Sequence, residues 1–286
     1  MFTSFGSKWK VHRGLATFGL YLGLIVFLAV ALIPFYWMFV SAITPANMIF
    51  SIPPNYFPKP TFENFINLVQ QLPFYYYLRN SLIFAVGSSL LTVLISFLAA
   101  YGFTRVPVPG SSLLLLGLVL SMALPEIATI VPLFQILRSL KMINTVQGLT
   151  LVMTSVLVPF TVWVLVSFIK QVPVEIEEAA IVDGATLPQL LWYVVVPVVK
   201  PALATMIVIN FINAWNNFIY PLAFSSTVRA KMLSVTITEV FQARTPYGRP
   251  WELISALGVT MVVPVIILVL VSQRAIVSGL TRGSIK

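Results

Sequence analysis

Six stretches of this chain, residues 15–40, 81–103, 113–137, 149–169, 202–224 and 253–271, contain a single charged residue between them, Glu126. A bilayer core about 30 Å thick is crossed by about 20 mostly apolar residues in a helix rising about 1.5 Å per residue. Each stretch reaches or approaches that length. Their apolar runs are continuous rather than alternating, which selects helices over barrel strands. Only 9% of the residues are charged, against roughly 25% in a soluble domain, and the mean hydropathy is +0.97. So few charges cannot clothe a water-facing surface. The chain reads as all-α: a polytopic helical membrane protein with six transmembrane helices filling residues 15–271. Pro125, Pro132, Pro159 and Pro264 fall inside the expected spans, where they predict kinks rather than loops.

Lys8, Lys10 and Arg13 precede the first stretch, as in a secretion signal. Its apolar run is far longer than the roughly 7 to 15 residues of a signal core, so a retained anchor is expected. Those cations place residues 1–14 in the cytoplasm. An even number of spans returns the tail, 272–286, to the same side, together with the loop 170–200. The remaining Lys and Arg divide almost evenly between the two sides, so the N-terminal cluster carries the orientation. The net charge of +9 suits a face beside anionic lipid. No long basic run points to nucleic acid. The chain has no cysteine and one histidine, His12, which excludes disulfides, thiol chemistry and a histidine-based metal site or triad within it. It also lacks a G-x-x-x-x-G-K-[ST] phosphate loop.

Four of the eight acidic residues, Glu175, Glu177, Glu178 and Asp183, crowd into nine positions of the loop 170–200. After Pro173 the spacing of Ile176, Ala179, Ala180 and Asp183 predicts a short helix, with the glutamates at the favourable positive end of its dipole. Gly184 offers a bend. A second apolar segment, 187–196, is expected to run until Pro197 and Pro201 punctuate the approach to the fifth span. A hairpin resting on lipid is one reading of this loop. Acidic residues are repelled by anionic headgroups, however, so a protein partner carrying cations fits better.

The pattern Glu178-Ala179-Ala180, three residues, Gly184, nine residues, Val194-x-Val196-Pro197 resembles the EAA loop of membrane subunits of binding-protein-dependent ABC importers, written EAA-x3-G-x9-I-x-LP. Valine stands here for the usual isoleucine and leucine. Residues 98–103 (LAAYGF) with Arg105 and Pro109-Gly110, Thr61-Phe62-Glu63-Asn64, Asn80-Ser81-Leu82, residues 211–218 (FINAWNNF), Gln273-Arg274, Gly279-Leu280-Thr281 and Gly283 are similar to the carbohydrate branch, the maltose-transporter type. The resemblance implies a type I ABC importer permease fold in the plasma membrane, the inner membrane where a cell has two. It also implies a second membrane permease subunit, two ATP-binding subunits and an extracellular or periplasmic solute-binding protein. ATP and Mg would reside on the ATPase subunits, with no cofactor in this chain. Glu178 would pair with a basic residue of an ATPase subunit, Ala179 and Ala180 would allow close packing, and Gly184 would make the bend. Asp183 and Pro197 belong to the same coupling element. The tail from Gln273 resembles segments that reach between the ATPase subunits; a frayed terminus is the other reading.

In the fifth span Asn210, Asn213 and Asn217 recur at i, i+3 and i+7, beside Trp215 and Asn216. Amides match sugar hydroxyls and an indole covers a sugar's apolar face, so this stripe is a candidate translocation path. Interhelical hydrogen bonding, worth about 0.6 kcal/mol per bond in membranes, explains it equally well. Glu126 costs on the order of 3 kcal/mol at mid-bilayer and must face protein or water; it is a further candidate for the path, as a vestibule residue or a proton-coupling acid. On the opposite side from the loop, residues 41–79 are rich in aromatics and prolines and, with residues 225–252, form candidate docking surfaces, although the run Tyr75-Tyr76-Tyr77 also suits anchoring at the membrane interface.

The expected function is the permease subunit of an ATP-driven importer for a sugar or sugar-like solute, an oligosaccharide, disaccharide or glycoside. ATP hydrolysis would lie in separate subunits, so the chain itself is not expected to be an enzyme. Two alternatives from other classes are a proton-coupled secondary transporter using Glu126 and a membrane scaffold that recruits a cytoplasmic enzyme through the acidic loop. No inverted repeat supports the former.

Overall fold

The structure is a computed structural model describing residues 5–243 and 248–282, with side chains described for 17–243 and 248–273. Every regular element among the described residues is helical. In chain order they are α1 (Phe5–Ala42), α2 (Glu63–Gln71), α3 (Phe74–Arg105), α4 (Ser111–Ser121), α5 (Glu126–Ser139), α6 (Val146–Ile169), α7 (Val174–Val182), α8 (Leu187–Gln189), a π-helical segment (Leu190–Val195), α9 (Val196–Asn216), α10 (Ile219–Phe224), α11 (Leu233–Gln242) and α12 (Trp251–Arg282), with one short 3-10 turn at Ala46–Met48. Five of these helices are long and apolar enough to cross a membrane, and α4 with α5 makes a sixth span if the bent pair is counted as one.

The chain divides into two compact units. The first comprises residues 1–68 and 240–260. Its α1 presents its apolar side chains outward from residue 17 to the last turn, as a helix does when lipid or another subunit is its solvent. Past α1 the chain is held by Asn64, whose buried amide donates to the carbonyls of Ala42 (2.9 Å) and Thr44 (2.8 Å). α12 meets Met38 at Gly258, where a Cβ would lie 2.8 Å from the sulfur and the thioether would have to shift.

The second unit, residues 69–239 and 261–286, is built on α3, α6 and α9. Val93, Phe97 and Ala100 of α3 interlock with Val162, Leu165 and Ile169 of α6 and with Val199, Ala202 and Met206 of α9. Lipid tails are as apolar as these side chains, so close fit rather than escape from water supplies the attraction, and small residues at the contact make it possible. Ser88, Ser89, Thr92 and Ser96 accordingly line the buried side of α3. Ser89 donates to the carbonyl of Ile207 (2.7 Å), and Gly87 lets Thr150 approach to 3.2 Å from where a Cβ would stand.

Three expectations about the spans are corrected. The stretch 113–137 is two helices meeting at 106° across a break at 122–125, rather than one kinked helix. Pro125 sits in extended geometry at the start of α5 (ψ 138°); it has no N–H to continue α4 and disfavours helical geometry at Leu124. Pro132, Pro159 and Pro264 do lie inside helices. The stretch 202–224 is likewise interrupted, with Asn217 extended between α9 and α10. At its other end Pro197 and Pro201 do not stop the chain. The N–H of Val196 donates to Leu191 five residues back, and this π-turn carries the second loop segment straight into α9.

The segment 1–14 has helical backbone from Phe5, but its side chains, Lys8, Lys10 and Arg13 included, lie outside the described residues. Helical backbone continues to Arg282 in the tail 272–286, whose side chains from Arg274 onward also lie outside them.

Candidate coupling loop and polar path

α7 begins after Pro173 with Glu175 and Glu177 in its first turn. Its end is a Schellman motif: Gly184 N–H donates to Ile181 (3.0 Å) and Ala185 N–H to Ala180 (3.0 Å), with Gly184 left-handed at φ +85°. That conformation costs an L-residue about 1–2 kcal/mol, which is why glycine stands there. Across the bend, the N–H and hydroxyl of Thr186 each donate to Gln189 Oε1 at 2.8 Å, capping the next helix from behind. Helix, bend and second helical segment are therefore all locally encoded.

Two adjacent glutamates in this loop have opposite surroundings. Glu178 is exposed and makes no ion pair among the described residues, as does Asp183. Ala179 is exposed beside it and Ala180 half-buried. Val182 is 87% exposed and Ile181 and Leu187 follow it outward, so an apolar patch surrounds the bend. Pro197 is exposed in the first turn of α9.

Glu177, by contrast, turns into the bundle, its side chain only 4% exposed. Its Oε1 accepts from Arg105 Nε (2.9 Å) and Nη2 (2.7 Å), and its Oε2 accepts from Tyr101 OH (3.0 Å). The same Nη2 donates to the carbonyls of Ile169 (3.2 Å) and Val172 (2.8 Å) at the end of α6. Breaking such a buried pair by removing one partner costs about 3–5 kcal/mol. Sequence reading did not single out Glu177 as distinct from its neighbour. The signal was available, since successive helical side chains diverge by about 100° and the lone cation ending an apolar helix, Arg105, needs a partner.

The asparagine stripe does not act as one face. Asn210 is fully buried and bonds Thr161 of α6 (3.0 Å), an interhelical contact. Trp215 is buried, stacked on Phe211 with ring centroids 5.7 Å apart, and donates to the carbonyl of Met261 (3.0 Å). Asn217 Nδ2 donates to Glu126 Oε1 (3.3 Å), its Oδ1 accepts from the N–H of Tyr220 (3.2 Å), and its carbonyl accepts from Ser234 (2.9 Å). Thr129, one turn beyond Glu126, meets the Tyr220 hydroxyl at 2.9 Å. The breaks at 122–125 and 217 thus face each other through polar groups, as broken helices do where backbone at membrane depth is buried in protein or borders a cavity. Asn213 and Asn216 remain exposed.

A helical membrane protein with a capped, outward-facing acidic loop and two facing breaks in its spans is the class that fold and geometry define. The chain belongs to the family described as binding-protein-dependent transport system inner membrane component, which matches residues 92–282. It is 36% identical to the sulfoquinovosyl glycerol transport system permease protein SmoH of Agrobacterium fabrum, over 91% of each chain. With the trehalose/maltose transport system permease protein MalG of Thermococcus litoralis it shares 33% identity, over 93% of this chain and 96% of that one. Its fold matches a chain of a bacterial ABC transporter involved in import of the acidic polysaccharide alginate, with a TM-score of 0.79 at 19% identity, over 92% and 97% of the two chains. The protein is thus a multi-pass plasma-membrane permease subunit of an ABC importer and not itself an enzyme. The proton-coupled carrier and the scaffold find no support in these relatives.

Proposed function

We propose that this permease carries a sugar or sugar-like solute, an oligosaccharide, disaccharide or glycoside, inward across the membrane, powered by two ATPase subunits that engage the loop around α7 and Gly184. The observation that carries the coupling role is the exposed Glu178 at the rim of an apolar patch, on a loop whose bend is fixed by its own caps. The transport names of SmoH and MalG support the cargo class. Glu178 pairs with a cation of the ATPase subunit, Asp183 adds charge at the rim, Ala179 and Ala180 keep the approach close, and Gly184 and Pro197 set the direction of the two helical arms. Contact maintained through the nucleotide cycle turns closure of the ATPase pair, with its ATP and Mg, into rearrangement of the spans.

In this reading both termini and the loop 170–200 face the cytoplasm. The unburied apolar side chains of α1 meet lipid and the second membrane permease subunit, and residues 41–79 and 225–252 receive the solute-binding protein. Asn213, Asn216 and the Glu126–Asn217 pair border the path, whereas Asn210 and Trp215 hold the helices that form it. Reconstitution of the full complex in proteoliposomes tests the reading, using the ligand that copurifies with the cognate binding protein. ATP-dependent uptake of a saccharide is the expected result, and uptake that proceeds without ATP overturns it.

A further inference from the structure

We propose that Arg105, Glu177 and Tyr101 form a buried tie that makes the coupling helix α7 move as one body with the ends of α3 and α6, and that this tie, rather than the docking contact, sets how much transport each ATP yields. The proposal rests on the reading of the loop as the ATPase contact and deepens it by naming positioning residues on the other side of α7.

The loop between α6 and α7 is only four residues long, 170–173, and α7 is a short helix whose outer surface is exposed. A load applied at Glu178 would rotate so small an element in place unless its inner surface were fastened. Glu177, one residue away, supplies that fastening. Its carboxylate receives three hydrogen bonds, two from the guanidinium of Arg105 and one from Tyr101, both in the last two turns of α3. Arg105 also holds the carbonyls of Ile169 and Val172, so a single guanidinium joins the end of α3, the end of α6 and the start of α7. Charge-assisted bonds to a planar fork fix orientation as well as distance, and with side chains 13% and 4% exposed the pair is shielded from water and salt. Directly behind it lies the packed cluster of Phe97, Ala100, Leu165 and Ile169. The load path therefore runs from an exposed acid, through one turn of α7, into the rigid part of the bundle.

Glu177→Gln tests this, because it keeps the size of the side chain while removing the charge that holds the fork. In proteoliposomes of the complete complex, Glu177→Gln is expected to copurify with the ATPase subunits as wild type does and to hydrolyse ATP, with uptake per ATP lower on the order of tenfold. Tyr101→Phe removes one bond without stranding a charge and is expected to lower the ratio in the same direction by less; it serves as the variant if Glu177→Gln does not assemble. An unchanged ratio in Glu177→Gln or, where that variant fails to assemble, in Tyr101→Phe overturns the proposal. So does a fall of hydrolysis and uptake in proportion. Glu178→Lys is the separate control: if it leaves both association and coupling intact, the docking reading itself fails, whatever Glu177 does.

Discussion

Asn217 and Glu126 stand 91 positions apart in sequence and meet at 3.3 Å, amide to carboxylate, where two interrupted spans face each other. Each is exceptional in its own element. Glu126 opens α5 after the break at Pro125, and Asn217 ends α9 in an extended conformation. The contact gives an intramembrane acid a hydrogen-bonded place without requiring that it move a proton. Glu126→Gln is therefore expected to leave ATP-driven uptake within about threefold of wild type, the worth of a typical membrane hydrogen bond. Uptake in proteoliposomes with and without an imposed pH gradient measures this, and a gradient that drives uptake without ATP would contradict it.

Glu178 makes no ion pair among the described residues and lies exposed beside Ala179. Reversing its charge with Glu178→Lys should weaken association with the ATPase subunits about tenfold or more, given that charge-assisted contacts at interfaces are commonly worth above 1.4 kcal/mol. Quantitative copurification measures the loss, and helical insertion should be unaffected.

Gly184 at φ +85° closes the Schellman motif of α7. Gly184→Val should destabilise the bend by about 1–2 kcal/mol, while Gly184→Asn should cost less because Asn tolerates the left-handed region. ATPase activity stimulated by the loaded binding protein is expected to fall in the order Gly, Asn, Val; equal activity of all three would dismiss the bend.

Asn210 and Asn213 lie one turn apart on α9 but separate by role. Asn210→Leu removes the bond to Thr161, whose hydroxyl keeps its own partner at Leu157 (2.9 Å). A loss of about 0.6–1.7 kcal/mol in stability follows, read as a lower Tm in detergent with solute preference unchanged. Asn213→Leu with Asn216→Leu should do the reverse, shifting the apparent KM for uptake while leaving Tm alone. A stability loss from the second pair would place those residues in helix packing.

Much of this was legible in the chain. Continuous apolar runs determine that helices must satisfy their own backbone in lipid, and the spacing from Glu178 through Gly184 to Pro197 marks the loop. The glycine bend and the first helix followed from local rules, because a left-handed cap and a dipole are properties of a few neighbouring residues. Breaks were harder. Pro125 and Pro132 look alike in sequence, yet one stands in the break just before α5 and the other lies inside α5, because the outcome depends on whether the rest of the fold offers partners to the freed carbonyls. The asparagine stripe divides for the same reason: its periodicity assumes one unbroken helix, and α9 ends at Asn216.

The sequence by itself thus determined the class, a six-stretch membrane permease with an acidic coupling loop, since hydrophobic length and motif spacing are one-dimensional quantities. Only the tertiary structure decided which acid does what. Glu177 and Glu178 are chemically identical neighbours, and the rotation of α7 against Arg105 buries one carboxylate in a web of donors while leaving the next to water. Helical spacing says that the two side chains diverge, and Arg105 that a buried cation needs a partner, but which acid meets it is decided by contacts between residues 72 positions apart.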